Sequence, residues 1–101
     1  MESATPPDDC QTMAQVRAGV DSLDRELVAL LARRFDYMRA AARIKPERAM
    51  VRDEARKAAV IAAARAEAQR LGAPAERLAV LWEALVESSI AYELEQWDAR
   101  D

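Results

Sequence analysis

A chain of 101 residues is the size of one domain and buries only a modest core by itself, so part of its stability is expected to come from a partner. Alanine inflates the 51% hydrophobic fraction, aromatics are 5%, and two Gly with four Pro leave almost nothing from which to build hairpins; this is the composition of long helices. A net charge of -3 argues against binding nucleic acid through its phosphates, and a single cysteine (Cys10) with no histidine removes a disulfide framework, a zinc site and a histidine-based triad.

Any chemistry must therefore use Arg, Lys, Asp, Glu and Ser. The opening stretch MESATPPDD is acidic and Pro-containing and lacks the basic-then-apolar order of a signal peptide. No uncharged apolar run approaches a membrane span. These features predict a soluble, cytoplasmic protein that uses neither nucleic acid nor membrane as a partner, with residues 1–11 as a tail and one helical domain over residues 12–101.

From Thr12 to about Ile44 there is no Pro, and apolar residues recur with helical spacing at Met13, Val16, Val20, Leu23, Leu27, Leu30, Leu31, Phe35, Met38 and Ala42. This predicts one long helix. Pro46 ends it, because the proline ring disfavours the helical region for Lys45 and its nitrogen cannot donate. A loop, PERAMVR, leads to Asp53 as N-cap of a second helix that runs to Gly72, which suits a C-terminal cap. Pro74 fits the first turn of a third helix carrying Leu78, Leu81, Trp82, Leu85, Val86, Ile90, Leu94 and Trp97 nearly to the C-terminus.

The three helices would be roughly 50, 28 and 40 Å long at the usual rise. A monomer with three such helices cannot cover the first, so its apolar stripe predicts a dimer in which two first helices lie side by side. The fold class expected is all-α, with one long and two shorter helices per chain.

Polar residues interrupt the apolar stripes. Arg34 follows Leu27 by seven and Leu30 by four, on the buried side, and Lys45 lies eleven residues further on, within roughly 20° of the same direction and about 16 Å along the axis. A buried guanidinium needs an anion, supplied by the chain or by a ligand. In the third helix the stripe of Leu78, Trp82 and Leu85 continues into Ser89 and Glu93, and Arg52 and Arg56 lie one turn apart beside Asp53. Arg17 precedes Arg34 by seventeen residues, roughly 25 Å, too far to serve the same pocket in its own chain; in an antiparallel dimer it would reach the neighbour's.

Each position also has a plainer reading: snorkelling cations, Asp53 as an N-cap, Ser89 tolerated inside a helix, and Glu93 as a salt-bridge partner. Together, these cations with the acids Asp53 and Glu93 and the hydroxyl of Ser89 suggest a site for a small anion.

Arg17, DSLDRELVALLARR ending at Arg34, RIK ending at Lys45, VRDEAR with Arg52, Asp53 and Arg56, and SSIAYELEQW with Ser89 and Glu93 follow in an order and spacing that resembles the all-helical chorismate mutase family, including its relative isochorismate pyruvate lyase. The resemblance covers nearly the whole chain. It implies an intertwined homodimer with two equivalent pockets, each completed by an arginine of the other chain, and a small dianionic substrate, chorismate. By the same resemblance Arg34, Arg56 and Arg17 of the second copy bind the two carboxylates, and Lys45 donates to the ether oxygen with the help of position 93. Asp53 and Ser89 match positions at the ring end, and Arg52 belongs to the same substrate-binding stretch. The rearrangement of chorismate to prephenate needs neither cofactor nor metal.

Two positions depart from the family pattern. Many relatives carry glutamine where this chain has Glu93, which donates only when protonated. Many mutases place an acid, often against the ring hydroxyl, where this chain has Lys57. The stretch RRFDYMRAAARIK and the acidic residues before Cys10 look more like the lyase, whereas VRD looks more like the mutase loop. Chorismate mutase is the expected activity, with the lyase and a non-catalytic helical dimer as alternatives.

Overall fold

The structure is a computed structural model that describes residues 4–101. It is helical, with no strand among the described residues: a 3-10 turn at Pro7–Asp9, α1 at Met13–Ile44, a second 3-10 turn at Arg48–Met50, α2 at Glu54–Arg70 and α3 at Ala75–Asp98. The expected all-α class with one long and two shorter helices is borne out.

The start of α1 is a capping box. Thr12 Oγ1 accepts from the Gln15 amide at 3.2 Å, and Gln15 Oε1 accepts in return from the amides of Thr12 (3.1 Å) and Gln11 (2.7 Å). Otherwise unpaired donors of the first turn are thus satisfied by two side chains. At the other end Lys45 N makes one last helical bond to Ala41 O at 2.9 Å before Pro46 stops the ladder.

The loop expected after Pro46 contains the second 3-10 turn, closed by Met50 N to Glu47 O and Val51 N to Arg48 O, both 3.1 Å. Asp53 caps α2: its Oδ1 accepts from the Arg56 amide at 2.9 Å. The far end of α2 is a Schellman motif, with Gly72 at φ 71°, Ala73 N bonded to Ala68 O at 2.8 Å and Gly72 N to Gln69 O at 3.1 Å. A left-handed conformation at that position is why glycine is there. Pro74 sits one residue outside its expected place, at the N-cap of α3 rather than in the first turn, because its ψ of 90° is extended while its carbonyl already accepts from Leu78 N.

The chain forms two compact units, one to Arg34 and one over Phe35–Asp101. In the first, the segment around Pro6 and Cys10 and the α1 residues Val16, Gly19, Val20 and Leu23 line a cavity of about 540 Å³. The apolar stripe of this half of α1 stays open: Val20 and Leu27 are 50% exposed, Leu30 56% and Leu23 62%.

In the second unit, α2 and α3 run antiparallel, as ion pairs from Lys57 to Glu87 and from Arg65 to Glu76 show. Buried Val51, Val86 and Ile90 form the core, packed by Val60, Ile61, Trp82, Leu94 and Trp97. Each such aliphatic side chain contributes about 1.5–3 kcal/mol by leaving water. Phe35 meets Tyr92 edge to face at 5.2 Å, joining the last turns of α1 to α3. Among the described residues no helix is long and apolar enough to cross a membrane.

Candidate functional site

Lys45 stands at the point where Pro46 forces α1 to end, and Glu93 stands on the α3 stripe below it. Lys45 Nζ donates to Glu93 Oε2 at 2.7 Å, with the Lys45 side chain 30% exposed and that of Glu93 6%. A carboxylate that deeply buried is tolerated because a cation meets it directly; an unpaired one would carry a large desolvation cost. The salt-bridge reading of Glu93 is therefore realised, and the partner is the lysine singled out beside it.

One turn earlier on the same stripe, Ser89 is 3% exposed and donates its hydroxyl to Leu85 O at 2.7 Å. This back-bond satisfies a hydroxyl that the apolar stripe would otherwise strand. Ser89 and Glu93 thus share the buried side of α3, as the spacing predicted.

The loop between α1 and α2 is fastened to α3 at both ends. Arg48 pairs with both carboxylate oxygens of Asp98, at 2.8 and 3.1 Å, and Arg52 pairs with both oxygens of Glu87, at 2.9 and 3.1 Å. Val51 is buried between these two forks. Arg52 also reaches Glu54 Oε1 at 2.8 Å, so the structure engages it in a network within the chain. Asp53 is committed through Oδ1 to capping α2, and Arg56, exposed in the first turn of that helix, forms no ion pair among the described residues.

Lys57, the cation standing where many mutases have an acid, is only 16% exposed and bonds Glu83 at 2.8 Å and Glu87 at 2.7 Å. Hydrogen bonds first from Arg52 and then from Lys57 hold the Glu87 carboxyl down at about 2. Glu83 and then Glu87 raise the Lys57 ammonium in return, and Glu87 raises the Arg52 guanidinium. Spacing in the sequence singles out the cations of this network but not Glu83 or Glu87. No local signal marks them, because each meets its partner only through the register of α2 and the loop against α3.

Arg17 and Arg34 lie in the first compact unit, on α1, with Arg17 exposed and Arg34 partly buried. The site residues of the second unit are Lys45, Arg52, Asp53, Arg56, Ser89 and Glu93; the structure joins Lys45 to Glu93, caps α2 with Asp53 and ties Arg52 to Glu87.

A helical fold whose long first helix ends in a lysine, with an acid from the last helix against it, defines a class in which both residues come from helix faces. The chain matches the chorismate mutase type II family over residues 16–94 and belongs to that family. It is also 31% identical over 91 residues to the isochorismate pyruvate lyase of Pseudomonas aeruginosa, a match spanning 90% of each chain. The family resemblance drawn from the residues is thereby borne out.

Proposed function

We propose that the protein is a chorismate mutase, converting chorismate to prephenate by an intramolecular Claisen rearrangement. The observation that carries this reading is the Lys45–Glu93 pair at 2.7 Å, presented by two different helices in a member of the family. In the reaction one ether C–O bond breaks as a C–C bond forms within the same molecule, so no nucleophile is activated and no electron carrier is required. What the protein must supply is orientation and a donor for negative charge gathering on the ether oxygen.

Lys45 is the donor in this reading. Glu93 holds its ammonium before substrate arrives and, once protonated, adds a second donor. Arg34, Arg56 and Arg17 of a second copy clamp the two carboxylates and fold the enolpyruvyl arm over the ring, in a homodimer formed through the open stripe of α1. Asp53 and Ser89 lie at the ring end, and Arg52 supports that end through the loop it anchors.

A second reading, isochorismate pyruvate lyase, is favoured by the 31% identity to a lyase over 90% of both chains, and by Lys57, which removes the acid that many mutases turn to the ring hydroxyl. It uses the same donor, since an ether C–O bond breaks in both reactions. Incubating purified protein separately with chorismate and with isochorismate distinguishes them. Prephenate from chorismate supports the mutase, and salicylate with pyruvate from isochorismate supports the lyase. Turnover of neither would leave a helical binding module.

A further inference from the structure

The last turn of α3 grips Lys45 by its backbone. Four residues beyond Glu93 on the same face, Trp97 donates its indole Nε1–H to the Lys45 carbonyl at 3.1 Å. Arg100 donates NH1 to that same carbonyl at 2.5 Å and to the Ala42 carbonyl at 3.0 Å, with its guanidinium over the Trp97 ring, 4.5 Å from the centroid. On the other side of the residue, Lys45 N is fixed to Ala41 O at 2.9 Å.

These carbonyls are the ones α1 leaves unpaired at its C-terminus, and Pro46 removes the ordinary continuation that would satisfy them. A cation there also complements the negative end of the helix dipole. The result is a lysine held at three points: amide, carbonyl and ammonium. Two of the three holds come from one stripe of α3, at Glu93 and Trp97.

We infer that Trp97 and Arg100 are positioning residues for Lys45, fixing the height and direction from which its ammonium donates to substrate. The inference rests on the proposed role of Lys45 as donor. Neither residue touches the ammonium; they act through the backbone from which the side chain springs. A lysine side chain on a frayed helix end loses its aim, and a displacement on the order of 1 Å at a reacting group costs about a hundredfold in rate.

The test uses Arg100→Met, which keeps the length of an exposed side chain and removes its donors, together with Trp97→Phe, which removes the indole N–H, and Arg100→Lys as a rescue. Each variant should lower kcat, by about tenfold to a hundredfold for Trp97→Phe, with KM within about twofold of the parent. Arg100→Lys, which retains a cation able to donate to a carbonyl, should recover part of the loss. Thermal unfolding run alongside separates aim from stability: kcat per folded molecule unchanged while the midpoint falls would overturn the inference and leave a purely structural cap. The NMR signal of the Lys45 ε-methylene, assigned by its absence in Lys45→Arg, gives a readout that does not need turnover. It should move in Arg100→Met and Trp97→Phe, and an unmoved signal overturns the inference whatever turnover does. If the parent protein turns over neither chorismate nor isochorismate, the proposed function fails on its own, and a moved signal still upholds the hold on Lys45.

Discussion

Lys45 Nζ and Glu93 Oε2 lie 2.7 Å apart although 48 positions separate the residues in the chain. This contact makes α3 the partner of the α1 terminus and engages both groups with each other. For the mutase reading it carries a cost: a carboxylate charge at position 93 opposes the negative charge developing on the ether oxygen.

Replacing that carboxylate by a neutral donor should therefore speed turnover. Glu93→Gln supplies a permanent donor, so it should raise kcat on chorismate above that of the parent protein. Steady-state rates of the two proteins measured side by side check it. Equal rates for the two proteins would remove Glu93 from the ether oxygen.

Lys45→Ala should cost about 10²–10³ in kcat, the range found when one donor to a developing oxyanion is removed. Because it also leaves Glu93 buried without its cation, it should lower stability by about 1–3 kcal/mol. Adding Glu93→Gln to Lys45→Ala should return part of that stability without returning activity. Denaturant titration beside single-turnover rates separates the two effects.

Glu87 gives the clearest acid-stability prediction. Its carboxyl ordinarily titrates near 4.5 and is held at about 2 in the folded chain, so its contribution is fully present above about 4.5 and is lost as pH falls from there through about 2. Glu87→Gln should remove that segment of the acid-unfolding curve. It should also loosen the Arg52 end of the loop, an effect read as faster amide exchange at Val51 and Arg52.

At Asp53 a capping role and a substrate role can be pulled apart. Asp53→Ala should destabilise the protein by about 1 kcal/mol, whereas Asp53→Ser, which keeps a capping oxygen, should cost little. If the carboxylate also serves the ring end, Asp53→Ser should raise KM without lowering the unfolding midpoint. An unchanged KM would leave Asp53 as a cap alone.

The open stripe of Val20, Leu23, Leu27 and Leu30 should be the dimer interface. Light scattering should give a dimer at micromolar concentration, and Leu27→Lys should produce monomers with little activity. Mixing inactive Arg17→Ala and Arg34→Ala proteins should restore some turnover, because one pocket of the mixed dimer collects both substitutions and the other is intact. A fully active monomer would contradict the shared pocket.

The helices were legible because their ends are chemical events written locally. Pro46 lacks a donor, Gly72 takes a φ of 71°, and Asp53 presents a capping oxygen at the start of α2. The capping box of Thr12 and Gln15 is equally local, although Gln at its fourth position is a weaker signal than the proline and glycine stops. In the candidate site, the shared stripe of Ser89 and Glu93 followed from a four-residue spacing, and their burial from its apolar neighbours. The Glu87 network and the hold of Trp97 and Arg100 on Lys45 did not follow, because they depend on how far α3 slides along the loop and α1. A one-turn shift in that register would leave every local pattern intact and break all of these bonds.

The most direct test of the central claim is the product formed from chorismate by the purified protein. The account predicts prephenate, with its formation slowed about 10²–10³-fold in Lys45→Ala while the helices remain folded. No prephenate from chorismate, with salicylate and pyruvate formed from isochorismate, would contradict the mutase assignment.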